Sequence, residues 1–371
     1  MNKLFYLLVF TLFLTSCNSD DPITVKGNYD KGVFVVNEGN FGSGTGTLTF
    51  AGDDDIITQQ VFEKENSGAV VGNVAQSMIF FNDKYYIVVN NANKIIVTDI
   101  NLKVIGEITG LFFPRFMVAK GDKGYVSQWG ENNFEGSVAV IDLNTLTIIK
   151  NIPTGNGPEN LLLDGNTLIV PNGGSYNATT FENQPDSTVA IVDLNTESVI
   201  TKIQVKYNPN SVVKVANGYA VSCAEKSYAS GDGNLYFLNK SNNTAIPISG
   251  AKVEAATNYA KLRRISDNQV LVVYNSFDAQ IINLDNVSSG VISRTSLGVA
   301  YSVGYDDNRS QIYVADAKNF SQSGEVRVYS KTGQSIKNFN AGIIPSGFCF
   351  QVRISRKVLE LTRHPVNQLI Y

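Results

Sequence analysis

A single histidine, His364, occurs in the chain, close to its C-terminus. Proton transfer or nucleophilic chemistry built on an imidazole therefore has no base in the body of the sequence. The three cysteines, Cys17, Cys223 and Cys349, form no CxxC pair, and no HExxH occurs, so the usual zinc arrangements are missing. One further chemistry is offered by Glu38, Asn90, Asn172 and Asp316. They fall at similar points of successive segments and would ring a calcium ion in a hydrolase or lactonase. The same points are where strands end and turns call for Asn. The reading adopted is of a chain with no catalytic residue, no metal and no cofactor, with the calcium-dependent hydrolase as the alternative and a protein-protein scaffold as a third.

What the chain does hold is aromatic rings set among amides. The stretch NEGNFGSG carries Asn37, Glu38, Asn40 and Phe41, and QWGENNFEG carries Trp129, Asn132 and Phe134. Tyr176, Phe181, Tyr228, Phe277 and Phe320 stand in comparable stretches, and TGNGPEN, KYNPNS and TNYAK add Asn160, Asn210 and Tyr259. Rings supply desolvated area and amides supply directional bonds, which suits an uncharged polyhydroxylated ligand or a large planar one. Trp129, the only tryptophan, and Phe134 lead this set. Arg115, Arg263 and Arg264 add charges for a ligand phosphate or carboxylate. Pairing of these arginines with Glu159 or other carboxylates is the competing reading.

These residues need a scaffold that gathers them. Ala75 to Gly110 reads as four short strands, with apolar runs rich in Val, Ile, Tyr and Phe separated by Asn and Asp turns. First strands of the same kind start near Ala75, Arg115, Asn160, Asn210, Ala260, Tyr301 and Ser346, at spacings of 40, 45, 50, 50, 41 and 45 residues. Third strands agree independently: IIVTDIN, VAVIDLN, VAIVDLN, LYFLN, QIINLD and VRVYS. Four strands per repeat of this length is the signature of a β-propeller. Six repeats are complete. Gly32 to Lys64 supplies second, third and fourth strands without a first, and SGFCF at 346–350 is a first strand without a successor. Joining them gives an all-β ring of seven four-stranded antiparallel blades, closed by the C-terminal strand on the N-terminal blade. Turns between first and second strands are tight. Those between second and third are long and, with the links between blades, collect the aromatic and amide residues on one face.

The ends carry other signals. Residues 1–16 hold Lys3 and the apolar LFYLLVFTLFL, read as a secretory leader, and LTSC at 14–17 resembles a lipobox that would acylate Cys17. Residues 17–31 follow as an acylated cysteine and flexible linker, in which Asn18-Ser19-Asp20-Asp21 resembles the surface-export signal of Bacteroidetes-type lipoproteins. The propeller is expected over 32–350, held at the outer membrane by lipid and exposed at the cell surface. Residues 351–371 form a basic extension with Ile354, Val358 and Leu361 at helical spacing, read as disordered or a short helix.

At a net charge of −3 and a pI near 5.4, the chain has no electrostatic footprint for nucleic acid. Cys223 and Cys349 lie in blades that are not neighbours and are expected to be free. The repeated V-x-D-x-N and turn Asn resemble YVTN-type propeller repeats, and FVVNEGNFGSGTGTLTF resembles the opening of DUF5074-type surface propellers. One tryptophan is too few for the quinone-dependent dehydrogenases of similar fold. The resemblance implies a binding protein: a surface lipoprotein that takes a corrinoid such as cobalamin, or a glycan, and passes it to a TonB-dependent outer-membrane transporter.

Overall fold

The structure is a computed structural model and describes residues 27–350 except 43, 134, 177–178, 181, 227–229, 254–260, 274–277, 287 and 295–298. Of the sequence readings, Cys17, Phe134, Phe181, Tyr228, Tyr259, Phe277 and the 351–371 extension lie outside the described residues.

Seven four-stranded antiparallel sheets form the blades of a ring. Blade 1 combines the two ends of the fold. Its innermost strand is Pro345–Phe350, followed outward by Gly32–Asn37, Thr47–Gly52 and the two-residue Ile57–Thr58. The closing pair runs in register from Val33↔Phe350 to Val36↔Gly347. The innermost strands of blades 2 to 7 are Ala75–Phe81, Pro114–Lys120, Leu162–Asp164, Pro209–Val215, Leu262–Ser266 and Ala300–Asp306.

Second strands show why the apolar runs are continuous rather than alternating. Side chains on a strand point alternately to opposite faces, and here both faces are buried. In blade 2, Tyr85, Ile87 and Val89 pack against blade 1 while Tyr86 and Val88 pack against blade 3. Seven clusters of buried residues result, one at each junction between adjacent blades. Local chemistry sets the turns: Asn82 and Asp83 both have positive φ, the form that joins twisted strands through two residues. The repeated Asp of V-x-D-x-N accepts backbone N–H bonds in the next turn, as Asp142 does from Asn144 at 2.8 Å.

Two details depart from the sequence reading. The stretch IITQQVFEK forms only the short outer strand and then a one-turn helix, Val61–Glu65, because Val61 and Phe62 are buried between blades 1 and 2. Tyr29, placed by the sequence in a flexible linker, is buried against Phe34 and Phe50 and donates a 2.6 Å hydrogen bond to Glu65. Cys223 and Cys349 are free and buried, and burial pushes both thiols up to about 12.

Candidate ligand-binding site

The innermost strands do not pair regularly at their starts. In blade 2 the register shifts between Ala75 and Ser77, leaving Gln76 unpaired. The same register shift falls at Arg115 and Phe116 in blade 3, Asn210 in blade 5, Tyr301 in blade 7 and Ser346 in blade 1. A bulge re-aims the side chain of the extra residue. Here Gln76, Arg115, Phe116, Asn210 and Tyr301 all line one cavity at the axis of the ring. A left-handed residue precedes the strand in five blades: Val74, Phe113, Gly157, Asn208 and Ile344. At Gly157 a Cβ would meet the Gly174 carbonyl oxygen at 1.9 Å, so glycine is required where the chain turns in to present Glu159.

The cavity has a volume of about 330 Å³. Its rim comes from the long loops between second and third strands, with Phe41, Trp129, Tyr176 and Phe320 at the edge. Phe41 is 73% exposed and Tyr176 40% exposed. Trp129 meets Tyr176 edge-on at 6.5 Å between centroids, and Phe320 meets Tyr301 in the same manner at 5.8 Å.

Beneath the rim the lining is charged. Arg115 donates through Nε to both carboxylate oxygens of Glu159, at 3.1 and 3.2 Å, and through Nη1 to Gln76 Oε1. Its guanidinium lies 4.6 Å from the Trp129 ring centroid, and Trp129 Nε1 donates to Glu159 at 3.2 Å. Burial pushes the Glu159 carboxyl up, opposed by Arg115 and the Trp129 hydrogen bond. On the other side Lys261 Nζ donates to the Ser346 carbonyl at 2.9 Å and stands 4.4 Å from the Tyr301 ring centroid. Tyr301 donates to Glu38 at 2.9 Å. Arg263 also lines the cavity and donates to the Leu262 carbonyl at 2.8 Å.

Of the residues proposed from sequence, the structure brings Glu38, Phe41, Arg115, Trp129, Asn160, Tyr176, Asn210 and Phe320 to this cavity. It does not bring Asn37 there. That side chain is fully buried in blade 1, where its amide donates to Thr47 and Thr49 and its oxygen accepts from the Gly342 N–H. Asn40 stands outside the lining and holds the loop, its carbonyl accepting from Gly44 and Asn73. Asn132 belongs to a 3₁₀ turn, Glu131–Asn133, beside Trp129. Arg264 points to the turn end of its strand and pairs with Asp267. Among the proposed calcium ligands, Glu38 and Asn90 reach the cavity, whereas Asn172 donates to Thr154 and Thr188 and Asp316 accepts from Val299 and Lys318. Among the described residues no three His, Cys, Asp or Glu side chains are grouped to hold a metal ion.

Sequence reasoning missed Gln76, Tyr301 and Lys261. The signal available was position: each stands at or just before the start of an innermost strand, as Arg115 does.

A family profile described as a domain of unknown function, DUF5074, matches residues 31–341. No curated protein matches the sequence. Among solved structures, a quinoprotein alcohol dehydrogenase-like protein from Bacteroides thetaiotaomicron superposes with a TM-score of 0.64 at 15% identity, over 87% of this chain and 78% of that one. Hydrazine synthase from Kuenenia stuttgartiensis gives 0.54 at 15% identity over 78% and 79%. A dihydro-heme d1 dehydrogenase, NirN, gives 0.54 at 12% identity over 88% and 77%. At these identities the likeness carries the fold alone.

Proposed function

The chain belongs to the DUF5074 family, and from that premise we propose that it is a ligand-capture protein, not an enzyme, working through the aromatic-rimmed mouth of its central channel. The observation that carries this reading is the convergence of Phe41, Trp129, Tyr176 and Phe320, from four different blades, over one polar cavity. Large rings held by a rigid scaffold, two of them exposed and two part-buried, bury ligand area at little entropic cost.

The ligand we propose is a bulky nutrient, a corrinoid first and a glycan second. A cavity of about 330 Å³ lies at the small end for an organic ligand, so a wide planar macrocycle would lie across the rim and send only a substituent into the channel. The protein would do this at the cell surface, anchored through Cys17, and hand its ligand to a TonB-dependent outer-membrane transporter. The leader, the lipobox and the acidic residues behind it support that placement.

Calorimetric titration of the chain lacking residues 1–17 with cyanocobalamin tests the reading. Phe41→Ser and Tyr176→Ser serve as variants, since both side chains are exposed and their loss should leave the core intact. Binding is expected in the parent protein, weakened about tenfold or more when both rings are removed. Absence of heat, or binding unchanged by the double variant, would remove the corrinoid from this mouth.

A further inference from the structure

Three cations line the channel below the rim, Arg115, Lys261 and Arg263, against two carboxylates, Glu38 and Glu159. Glu159 pairs with Arg115 and accepts from Trp129, while Glu38 accepts from the Tyr301 hydroxyl and acts on Lys261 by its charge without a direct ion pair. Arg115 therefore has its counterion. Lys261 and Arg263 form no ion pair with a carboxylate among the described residues, and each donates to one backbone carbonyl. A guanidinium offers five N–H donors and an ammonium three, so both residues, which line the cavity, have more donors than these bonds use.

The channel narrows in polarity at this level. Gln76, Phe116, Asn160 and Arg263 line both the upper cavity and a smaller one beneath it, of about 90 Å³. Beyond them the walls are Met78, Met117, Leu162, Val213, Leu262 and Phe348. A charged group entering from the mouth has charged partners at Lys261 and Arg263, and below them the lining adds no further charged side chain.

We propose that this floor is an oxyanion site, in which a phosphate-like or carboxylate group bridges Lys261 and Arg263 opposite Arg115. The physical ground is that the lining holds three cations against two carboxylates, so two poorly solvated cations with no direct ion pair among the described residues gain from charge-assisted hydrogen bonds to an oxyanion. Burial holds Lys261 down to about 8 and Arg263 to about 10, which marks the setting as poorly solvated. The inference goes beyond ligand capture at the rim and does not depend on which molecule occupies it. The anion is either a substituent of the captured ligand or a free ion.

Sulfate and acetate are suitable probes because the charge of each, two and one respectively, does not change across the useful pH range. Titrated calorimetrically at low ionic strength, one or both should bind the parent protein. Affinity should fall about tenfold or more in Arg263→Gln and in Lys261→Met, and be retained in Arg263→Lys, which keeps the charge. Lys150→Met, an exposed outer-strand position, should leave it unchanged. Raising the pH from about 6.5 to about 9.5 should weaken binding as Lys261 loses its proton. The groups facing that lysine, Glu38, Arg115, Glu159, Arg263 and the Tyr301 ring, set the shape of the curve. Failure of both anions to bind at tens of millimolar, or equal affinity in parent and Arg263→Gln, would overturn the site. Repeating the cyanocobalamin titration under saturating sulfate separates the sources: competition assigns the anion to the captured ligand, and independent binding assigns it to a free ion. A protein that binds sulfate but no corrinoid would fail the capture reading and keep this one.

Discussion

Arg115 and Glu159 show how a site residue is held in place by its neighbours. Both side chains are largely buried, 14% and 11% exposed, and Trp129 closes over the pair. Removing one partner of such a pair leaves an uncompensated charge, a loss larger than the worth of the pair itself. Arg115→Leu should therefore cost about 3 kcal/mol or more in urea unfolding, and the Arg115→Leu, Glu159→Leu double variant should recover much of it. If the single and double variants unfold alike, the pair is not coupled. The sequence held both readings of Arg115 open, ligand contact and pairing with Glu159, and the second is what the folded chain displays. Lys261 was illegible because a lysine at the end of TNYAK looks like any solvated loop charge. Asn37 was over-read for the converse reason: nothing in NEGNF distinguishes the amide that ties blade 1 together from the ring beside it that reaches solvent.

Contacts between neighbouring blades bring charges as well as apolar area. Asp164, at the end of the innermost strand of blade 4, accepts from Lys214 at 2.8 Å, Tyr219 at 2.9 Å and Lys240 at 2.7 Å, all from blade 5. Burial alone would raise its carboxyl, but these three hydrogen bonds outweigh it and hold the group down to about 2. A carboxylate depressed on folding stabilises the native state above its ordinary value of 3.8, and that contribution is lost as the pH falls through about 2. Asp164→Asn should thus be less stable than the parent by about 2 kcal/mol at neutral pH, with the gap closing between about pH 4 and pH 2. A gap that stays constant in acid denaturation curves would show that the ionised carboxylate is not its source. At this scale the sequence was most readable: strand starts near Ala75, Arg115, Asn160, Asn210 and Tyr301 lie within two residues of the observed ones. The bulges that aim Gln76, Arg115 and Tyr301 inward were not, since a register shift leaves no mark on the hydrophobic pattern and is fixed only by the partner strand.

As a whole the ring is seven blades, and one of them, blade 1, is assembled from both ends of the fold. Ending the chain at Ile344 would expose the edge of Gly32–Asn37 and the cluster shared by blades 7 and 1. It should lower stability by about 5 kcal/mol or more, a fall of about 10 °C or more in Tm, relative to a chain ending at Phe350. Melting of the two at the same temperature would mean that the closing strand is dispensable. Closure was legible because both orphan segments were visible in the repeat count. The mouth takes Glu38 from one end of the fold and Ile344 from the other. Occupancy and closure would therefore be linked: a ligand touching both walls of the mouth would draw the two ends of the fold together, so that a loaded ring would resist opening more than an empty one, the cargo latching its own container.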